Sequence, residues 1–454
     1  VPERRPDAES LLALAEKVAA AAEPGEQLEA FVARHQETDV RAYDGEVESL
    51  SVAESAGIGV RVVRDGRQGF AWVANLSEQA AAEALSEARD NARFATPDEH
   101  AGLVAADGVA PAPLELWHEE LVSVPTEDKV QLALELERRT RAADPRVRQV
   151  PRADYGDALG EAAIATSAGI RASSRKTVCY VGTEAVAGDG PETQNGYGYS
   201  VGRHTGEIDL ERAVQDAVER ATRMLGAKKP QSRTLTVVLE PRVTAALLGI
   251  VSGTLSGEEV LKDRSFFAGR LGEQVAAPQV HLVDDPTNPL AFGASVFDAE
   301  GLACRANTLI EGGRLAGFLY DGYAGRRAGT ASTGSAVRAG FRSTPGTGAR
   351  AVALAPGELD AAQIYAAVGE GLLVQSVTGI HSGVNPVSGD FSVGAEGLMI
   401  RDGALAEPVR ELTIASSLQK MLQGISHIGS DLAWLPSVAS GMTLAIEDMA
   451  MSGA

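Results

Sequence analysis

The 454-residue chain has only two cysteines, Cys179 and Cys304. They are too few for a disulfide framework and too far apart for a CxxC pair or a zinc ribbon, which points to a reducing cytoplasm. Long apolar runs are missing too. The most apolar stretch, residues 245–251, falls far short of the roughly 18 residues a spanning helix needs. The start, VPERRPDAES, carries charge where a secretory apolar segment would sit, so the chain reads as unexported and off the membrane. Basic residues are in the minority, 41 against 62 acidic, for a formal net charge of −21. That balance repels phosphate backbones and anionic lipid and argues against nucleic acid as a direct partner. Aromatics make up only 5%, so the core must be built from Ala, Val and Leu.

What is plentiful is glycine, 49 residues, and with it the expectation of many hairpins. The length exceeds the roughly 250–300 residues at which one core stops growing, and the pattern divides it into 1–113, 114–230 and 231–454. In the first part, apolar residues at helical spacing predict a helix over 7–23, stopped by Pro24-Gly25. Asp44-Gly45 and Asp65-Gly66 then separate β-rich runs, the strongest short-range hairpin signal. Ser77 caps an Ala-rich helix to about Phe94, and residues 97–113 read as a linker. The second part shows a helix over 126–143, strands near 161–170 and 177–187, a Gly-rich passage over 188–202 and a helix over 209–225. Two similar hexapeptides, AESAGI at 53–58 and ATSAGI at 165–170, raise the idea of a duplicated N-terminal region.

Beyond Lys228-Lys229-Pro230 the chain becomes strand-rich, with two helical interruptions, at 242–255 and 360–369, hairpin turns at Glu311-Gly312-Gly313 and Asp402-Gly403, and a large loop over 324–348. The fold class is therefore α+β: a mixed sheet-and-helix N-terminal region followed by a strand-rich C-terminal domain with few helices.

Local catalytic motifs fail one after another. His118-Glu119 is the only His-Glu dipeptide and has no second His at either HExxH or HExxxH spacing, so His118 reads as a surface residue. His35, His100, His204, His281, His381 and His427 are scattered. Ser426 lacks the following Gly of a nucleophile elbow, and no GxxxxGK[ST] occurs. Tyr197 and Tyr199, interleaved with Gly196, Gly198 and Gly202, suggest either a Gly-rich strand edge or a substrate lip. Cys304 has no His or Asp close in sequence and reads as a packed thiol.

Several segments nevertheless form an ordered series: DGEVES from Asp44, ESAGIGVR from Glu54, GRQGFA from Gly66, NTLIEGG from Asn307, GFLYD from Gly317, NPVSGDFS from Asn385 and PVRELTIA from Pro408. Together they are similar to the TldD/PmbA family over nearly the whole chain. That family comprises two related subunits, one of which carries an HExxxH helix and a downstream Cys that hold a metal for peptide hydrolysis. Here the corresponding helix is placed at 245–255, where Gly249 and Thr254 stand in the His positions and Ile250 in the place of the general-base Glu. None of the three can ligate zinc tightly or activate water, and no Cys follows Ser426.

LSGE from Leu255 and the NPVSGDFS run instead resemble the other branch, PmbA or TldE. The resemblance implies a cytoplasmic heterodimer with a TldD-like HExxxH paralogue that encloses a peptidase chamber for unfolded peptides. Zinc is expected in that partner and no cofactor in this chain, which should be inactive alone. His381, Asn385, Ser388 and Asp390, in the best-matched loop, are candidate peptide-binding residues; the alternative is that the loop simply forms turns. Two other functional readings stand beside this one: a non-proteolytic regulator of the gyrase-modulator kind, and a pathway-specific peptidase subunit in natural-product maturation.

Overall fold

The structure, a computed structural model, describes residues 8–453. The charged start read at 1–7, including Asp7 of the first predicted helix, lies outside the described residues. That helix, α1 (Ala8–Ala19), buries Leu11, Ala15, Val18 and Ala19. It leads into a meander of β1 (Glu26–Tyr43), β2 (Glu46–Arg64) and β3 (Arg67–Val73), followed by α2 (Glu78–Phe94). Asp44-Gly45 and Asp65-Gly66 make the two turns with all four residues at positive φ, the geometry that matches the twist of two-residue hairpins. Ser77 caps α2 by accepting the Ala80 N–H.

After an extended connector and the single turn α3 (Glu119–Val122), the pattern repeats: α4 (Thr126–Ala142), β4 (Val147–Thr166), β5 (Arg171–Ala187), β6 (Gln194–Gly202) and α5 (Leu210–Thr222). Helix, three strands, helix occurs twice. The two meanders join through β1 and β4, paired from Glu29 with Thr166 to Ala42 with Ala153. The result is one antiparallel sheet in the order β3-β2-β1-β4-β5-β6. The two similar hexapeptides do not occupy equivalent places. The first lies within β2, whereas the second spans the end of β4 and its turn.

Residues 28, 30, 32, 40 and 42 of β1 share one face by strand alternation, and all are buried under helices. Leu28, Ala30 and Val32 meet α1 and α2, and Val40 and Ala42 meet α4 and α5. The helices thus cover one face of the sheet. The other face is left for the C-terminal domain.

That domain begins with β7 (Arg233–Leu239) and α6 (Pro241–Thr254), then α7 (Gly257–Leu261), the short strands β8 (Leu282–Asp284), β9 (Asn307–Glu311) and β10 (Arg314–Leu315), and α8 (Gly322–Ala328). After β11 (Ala336–Val337), β12 (Gly346–Thr347) and β13 (Val352–Leu354) come α9 (Ala361–Val368), β14 (Gly371–Thr378) and α10 (Ile380–Gly383). The chain ends with β15 (Asp390–Arg401), β16 (Ala404–Ser417), α11 (Leu418–Gln423), β17 (Ile425–Ile428) and β18 (Leu444–Ser452). The main sheet runs β16-β15-β14-β7-β18-β17, and β16 also pairs with β18. Five strands therefore close on themselves around a core into which α6 sends Val243, Leu247, Leu248, Val251 and Leu255.

Two sequence expectations need correction. Four further short helices, α7, α8, α10 and α11, join the two predicted in this domain; at four to seven residues each they are too short for a helical period to show. Strand β4 begins at Val147 rather than near Glu161. Its first half hides behind Pro151, Asp154, Gly156 and Asp157, residues poor in β-propensity. The structure satisfies them individually: Arg41 and Arg152 pair with Asp154, and Lys129 and Tyr155 hold Asp157 at 2.6 and 2.8 Å.

Candidate functional site

Helix α6 starts at a buried anchor. Arg220 of α5 and Arg223 just beyond its end both reach Glu240, and Arg242 stacks 4.2 Å from the Tyr199 ring while donating to the Tyr197 carbonyl at 2.6 Å. Further along, Gly249 has no side chain, and a Cβ there would meet nothing closer than Val438 at 3.7 Å. Ile250 packs against the main core. Thr254 is 1% exposed and gives its hydroxyl to the Val251 carbonyl at 2.6 Å. These groups do not fit a zinc ion: one position has no ligand atom, one is apolar, and the third has its only donor engaged in the helix. Among the described residues no group of three His, Cys, Asp or Glu is placed to hold a metal. The rings of His118 and His204 do come together, 5.0 Å apart.

The loop singled out in sequence is brought together in part. Asn385 Oδ1 accepts the N–H groups of Val387 and Ser388 at 2.9 and 3.2 Å, and the Ser388 hydroxyl donates to Asp390 Oδ2 at 2.6 Å. All three side chains are exposed, and their hydrogen bonds serve the turn. His381 sits apart from them on α10, also exposed. Its neighbour Ile380 lines a cavity of about 710 Å³ between α5, α6 and β14–β16.

That cavity lies at the β6 edge of the N-terminal sheet, and two more follow from it along the helix-free face. The second, about 620 Å³, shares Tyr197 with it, and the third, about 610 Å³, shares Glu37 with the second. The floor follows from strand alternation. Beta-1 presents Phe31, Ala33, His35, Glu37 and Asp39, and opposite them β4 presents Ile164, Ala162, Gly160, Ala158 and Gly156. At one end the C-terminal domain seals the face: Phe297 and Leu302 pack with Phe31 and Ile164, and a Cβ on Gly57 would come within 2.5 Å of the Phe341 ring. Beyond that seal the small residues of β4 leave a cleft.

The middle of the cleft is aromatic. Tyr180 lies across Gly156 and the Tyr197 hydroxyl across Gly182; a Cβ on either glycine would sit 2.2 Å from the phenol. Burial and the nearby Asp39 push the Tyr180 hydroxyl up to about 12, so it stays protonated at neutral pH. Tyr199, Phe292 and Pro436 complete this part. The third cavity is basic, ringed by Lys176, Arg338, Arg342 and Arg350. His35 and Lys176 flank Gly160 there, and His35 Nε2 lies 2.6 Å from Glu37 Oε1.

Three family models match the chain in order: PmbA/TldA metallopeptidase domain 1 over residues 28–92, the central domain over 119–225 and the C-terminal domain over 232–453. The chain belongs to the PmbA/TldD metallopeptidase family. Among its relatives, metalloprotease PmbA of Escherichia coli O157:H7 is 27% identical over 412 residues, 90% of this chain and 88% of that protein. The metalloprotease PmbA homolog of Haemophilus influenzae is 27% identical over 439 residues, covering 95% and 94%. The crystal structure of TldE from Thermococcus kodakarensis superposes with a TM-score of 0.88 over 98% of this chain and 100% of that one, at 24% identity. These likenesses put the chain on the PmbA side of the family.

For a PmbA/TldD-family chain, the cleft residues missed by sequence reading come from the N-terminal sheet and from the C-terminal loops that face it. Lys176, Tyr180 and Arg350 sit in no motif. A signal was present in β4, where Gly156, Ala158, Gly160 and Ala162 place a small residue at every second position, the mark of a strand face that something approaches closely. Tyr197 and Tyr199 stand on the edge strand β6, as the first of their two readings has it, and they also line the second cavity.

Proposed function

We propose that this chain is the non-catalytic subunit of a cytoplasmic two-subunit zinc peptidase. An HExxxH-bearing paralogue supplies the metal, and this chain shapes the chamber and holds extended peptide. The observation that supports the reading is helix α6: at the places the family resemblance gives to the metal ligands and base, Gly249 has no side chain, Ile250 packs on the core and Thr254 bonds within the helix. The cleft supplies the second half: a sheet face floored with small residues, aromatic in the middle and charged at one end, suits an extended chain better than a folded one. Two buried free thiols, both pushed up to about 12 by burial, accord with a reducing compartment. Among the described residues no helix is long and apolar enough to cross a membrane.

The test is a complex in which the partner's HExxxH Glu is replaced by Gln. Loss of all cleavage of an unfolded peptide, while this chain still co-purifies and still binds that peptide, supports the reading. Cleavage that persists with the altered partner contradicts it.

A further inference from the structure

The third cavity gathers positive charge in a chain whose net charge is −21. Six cationic residues border it, and the side chains of three are engaged: Arg34 with Glu54 at 2.8 Å, Arg175 with Glu119 at 3.4 Å and Arg338 with Glu29 at 2.7 Å. The other three, Lys176, Arg342 and Arg350, form no ion pair among the described residues. Arg350 offsets part of the burial of Asp298 and of Asp284 behind it, although neither carboxylate makes an ion pair with it among the described residues. Asp298 accepts the backbone N–H groups of Glu300, Leu302 and Ala336 at 2.9, 3.0 and 3.1 Å, Glu37 faces His35, and Glu161 has a partner of its own.

Donors are left over as well. The Arg338 side chain is 2% exposed, lies 4.3 Å from the Phe31 ring and leaves Nε and Nη1 buried without partners. Arg350 gives Nη2 to the Ala336 carbonyl at 2.7 Å and leaves Nε buried and unpaired. Buried N–H groups without acceptors are costly, and an anion among these cations supplies the missing acceptors and a counter-charge together.

We propose that this cavity is an oxyanion site and that its occupant is the C-terminal carboxylate of a bound peptide, held by Lys176, Arg338 and Arg350 with Arg342 at the mouth. The proposal rests on the peptide-holding reading above and adds a polarity to it: the carboxyl end of the substrate lies at the basic cavity and its body runs over Tyr180 toward α6. The Lys176 side chain is exposed to solvent, yet the protein crowded around its ammonium, together with Arg350 and Arg203, presses its pKa downward, and an anion beside it offsets the repulsion from the two arginines. Guanidinium groups matched to a carboxylate give paired, directional bonds.

The test uses the full chain with two probes. The first is inorganic sulfate, followed by chemical-shift or thermal-shift titration. The second is a ten-residue unstructured peptide without Asp or Glu, made as free acid and as C-terminal amide. Sulfate is expected to bind the wild type and to be weakened at least tenfold by Lys176→Gln, with the exposed Arg342→Gln as a second variant that does not disturb the interior. The free-acid peptide is expected to bind at least tenfold tighter than the amide, and the difference to vanish in Lys176→Gln.

Equal binding of acid and amide by the wild type, with sulfate still bound, overturns the carboxylate assignment and leaves a site for free oxyanions. Sulfate binding with neither peptide bound sinks the peptide-holding reading and this assignment with it, but not the oxyanion site. No response to sulfate and none to the variants overturns the site itself.

Discussion

Glu300 is 1% exposed, yet its carboxylate keeps only one good bond, from the Gly322 N–H at 2.7 Å, and leaves Oε1 buried without a hydrogen bond, 3.5 Å from Arg61. Burial raises its pKa to about 7; Arg61 opposes the shift, and Asp298 and Asp321 add to it. Its neighbour Glu29 behaves oppositely. Burial would raise it, but Arg61 and Arg338 outweigh burial and hold it below the usual range. The two groups act in different pH windows. Between about pH 4.5 and 7 native Glu300 keeps a proton that the unfolded chain has released, so stability falls as pH rises through that window, by about 3 kcal/mol in all. Glu29 stabilises above its unfolded pKa, and that contribution is lost only as pH falls through its lowered folded value.

Glu300→Gln keeps an acceptor for Gly322 and is expected to flatten the decline between pH 5 and 7 in urea unfolding followed at several pH values. An unchanged slope in the variant would mean that Glu300 is ionised throughout. At this scale the sequence was informative about residue chemistry: that Gly249, Ile250 and Thr254 offer no strong metal ligand needs only their identities. It was silent on Glu300, Lys176 and Arg350, whose importance comes from charges that neighbour them only in space.

Among the elements, glycines separate packing from mere permissiveness. A Cβ on Gly198 in β6 would lie 1.9 Å from the Ala213 carbonyl and 2.6 Å from the Ala217 nitrogen of α5. Backbone there cannot yield, so Gly198→Ala is expected to lift the helix from the strand and to cost about 2 kcal/mol or more in chemical denaturation. Gly253 in α6 meets nothing within 4 Å, and Gly253→Ala is expected to stabilise by about 0.5–1 kcal/mol, the ordinary helix difference. A loss of stability at Gly253 would show that α6 packs differently from the arrangement described.

Hairpins were legible from their turns, since Asp44-Gly45, Asp65-Gly66 and Asp402-Gly403 all take the paired positive φ values such dipeptides favour. The start of β4 was not, because its acids and glycines pay their way only through Lys129, Arg41 and the overlying tyrosines. The Gly-rich passage before α5 was legible as unusual, but its reason, a helix seated directly on a strand, appears only in three dimensions.

In the whole molecule, the sheet that spans both N-terminal halves matters more than either half. Its helix-covered face is a conventional core, whereas its other face meets a C-terminal domain whose strands close on themselves, and the gap between the two is the cleft. The α+β class and the strand-rich C-terminal half could be read from turn spacing and helical periods. The cleft could not, since the two strands of its floor are more than a hundred residues apart and its basic end joins Lys176 to residues 338–350 of the other domain.

The central claim is that this chain supports a metal-dependent peptidase without holding the metal. The most direct test is to purify it alone and co-expressed with an HExxxH paralogue, and to measure bound zinc and cleavage of an unfolded peptide in both samples. Zinc and cleavage confined to the complex are the predicted result. Zinc-dependent cleavage by the isolated chain would contradict the account.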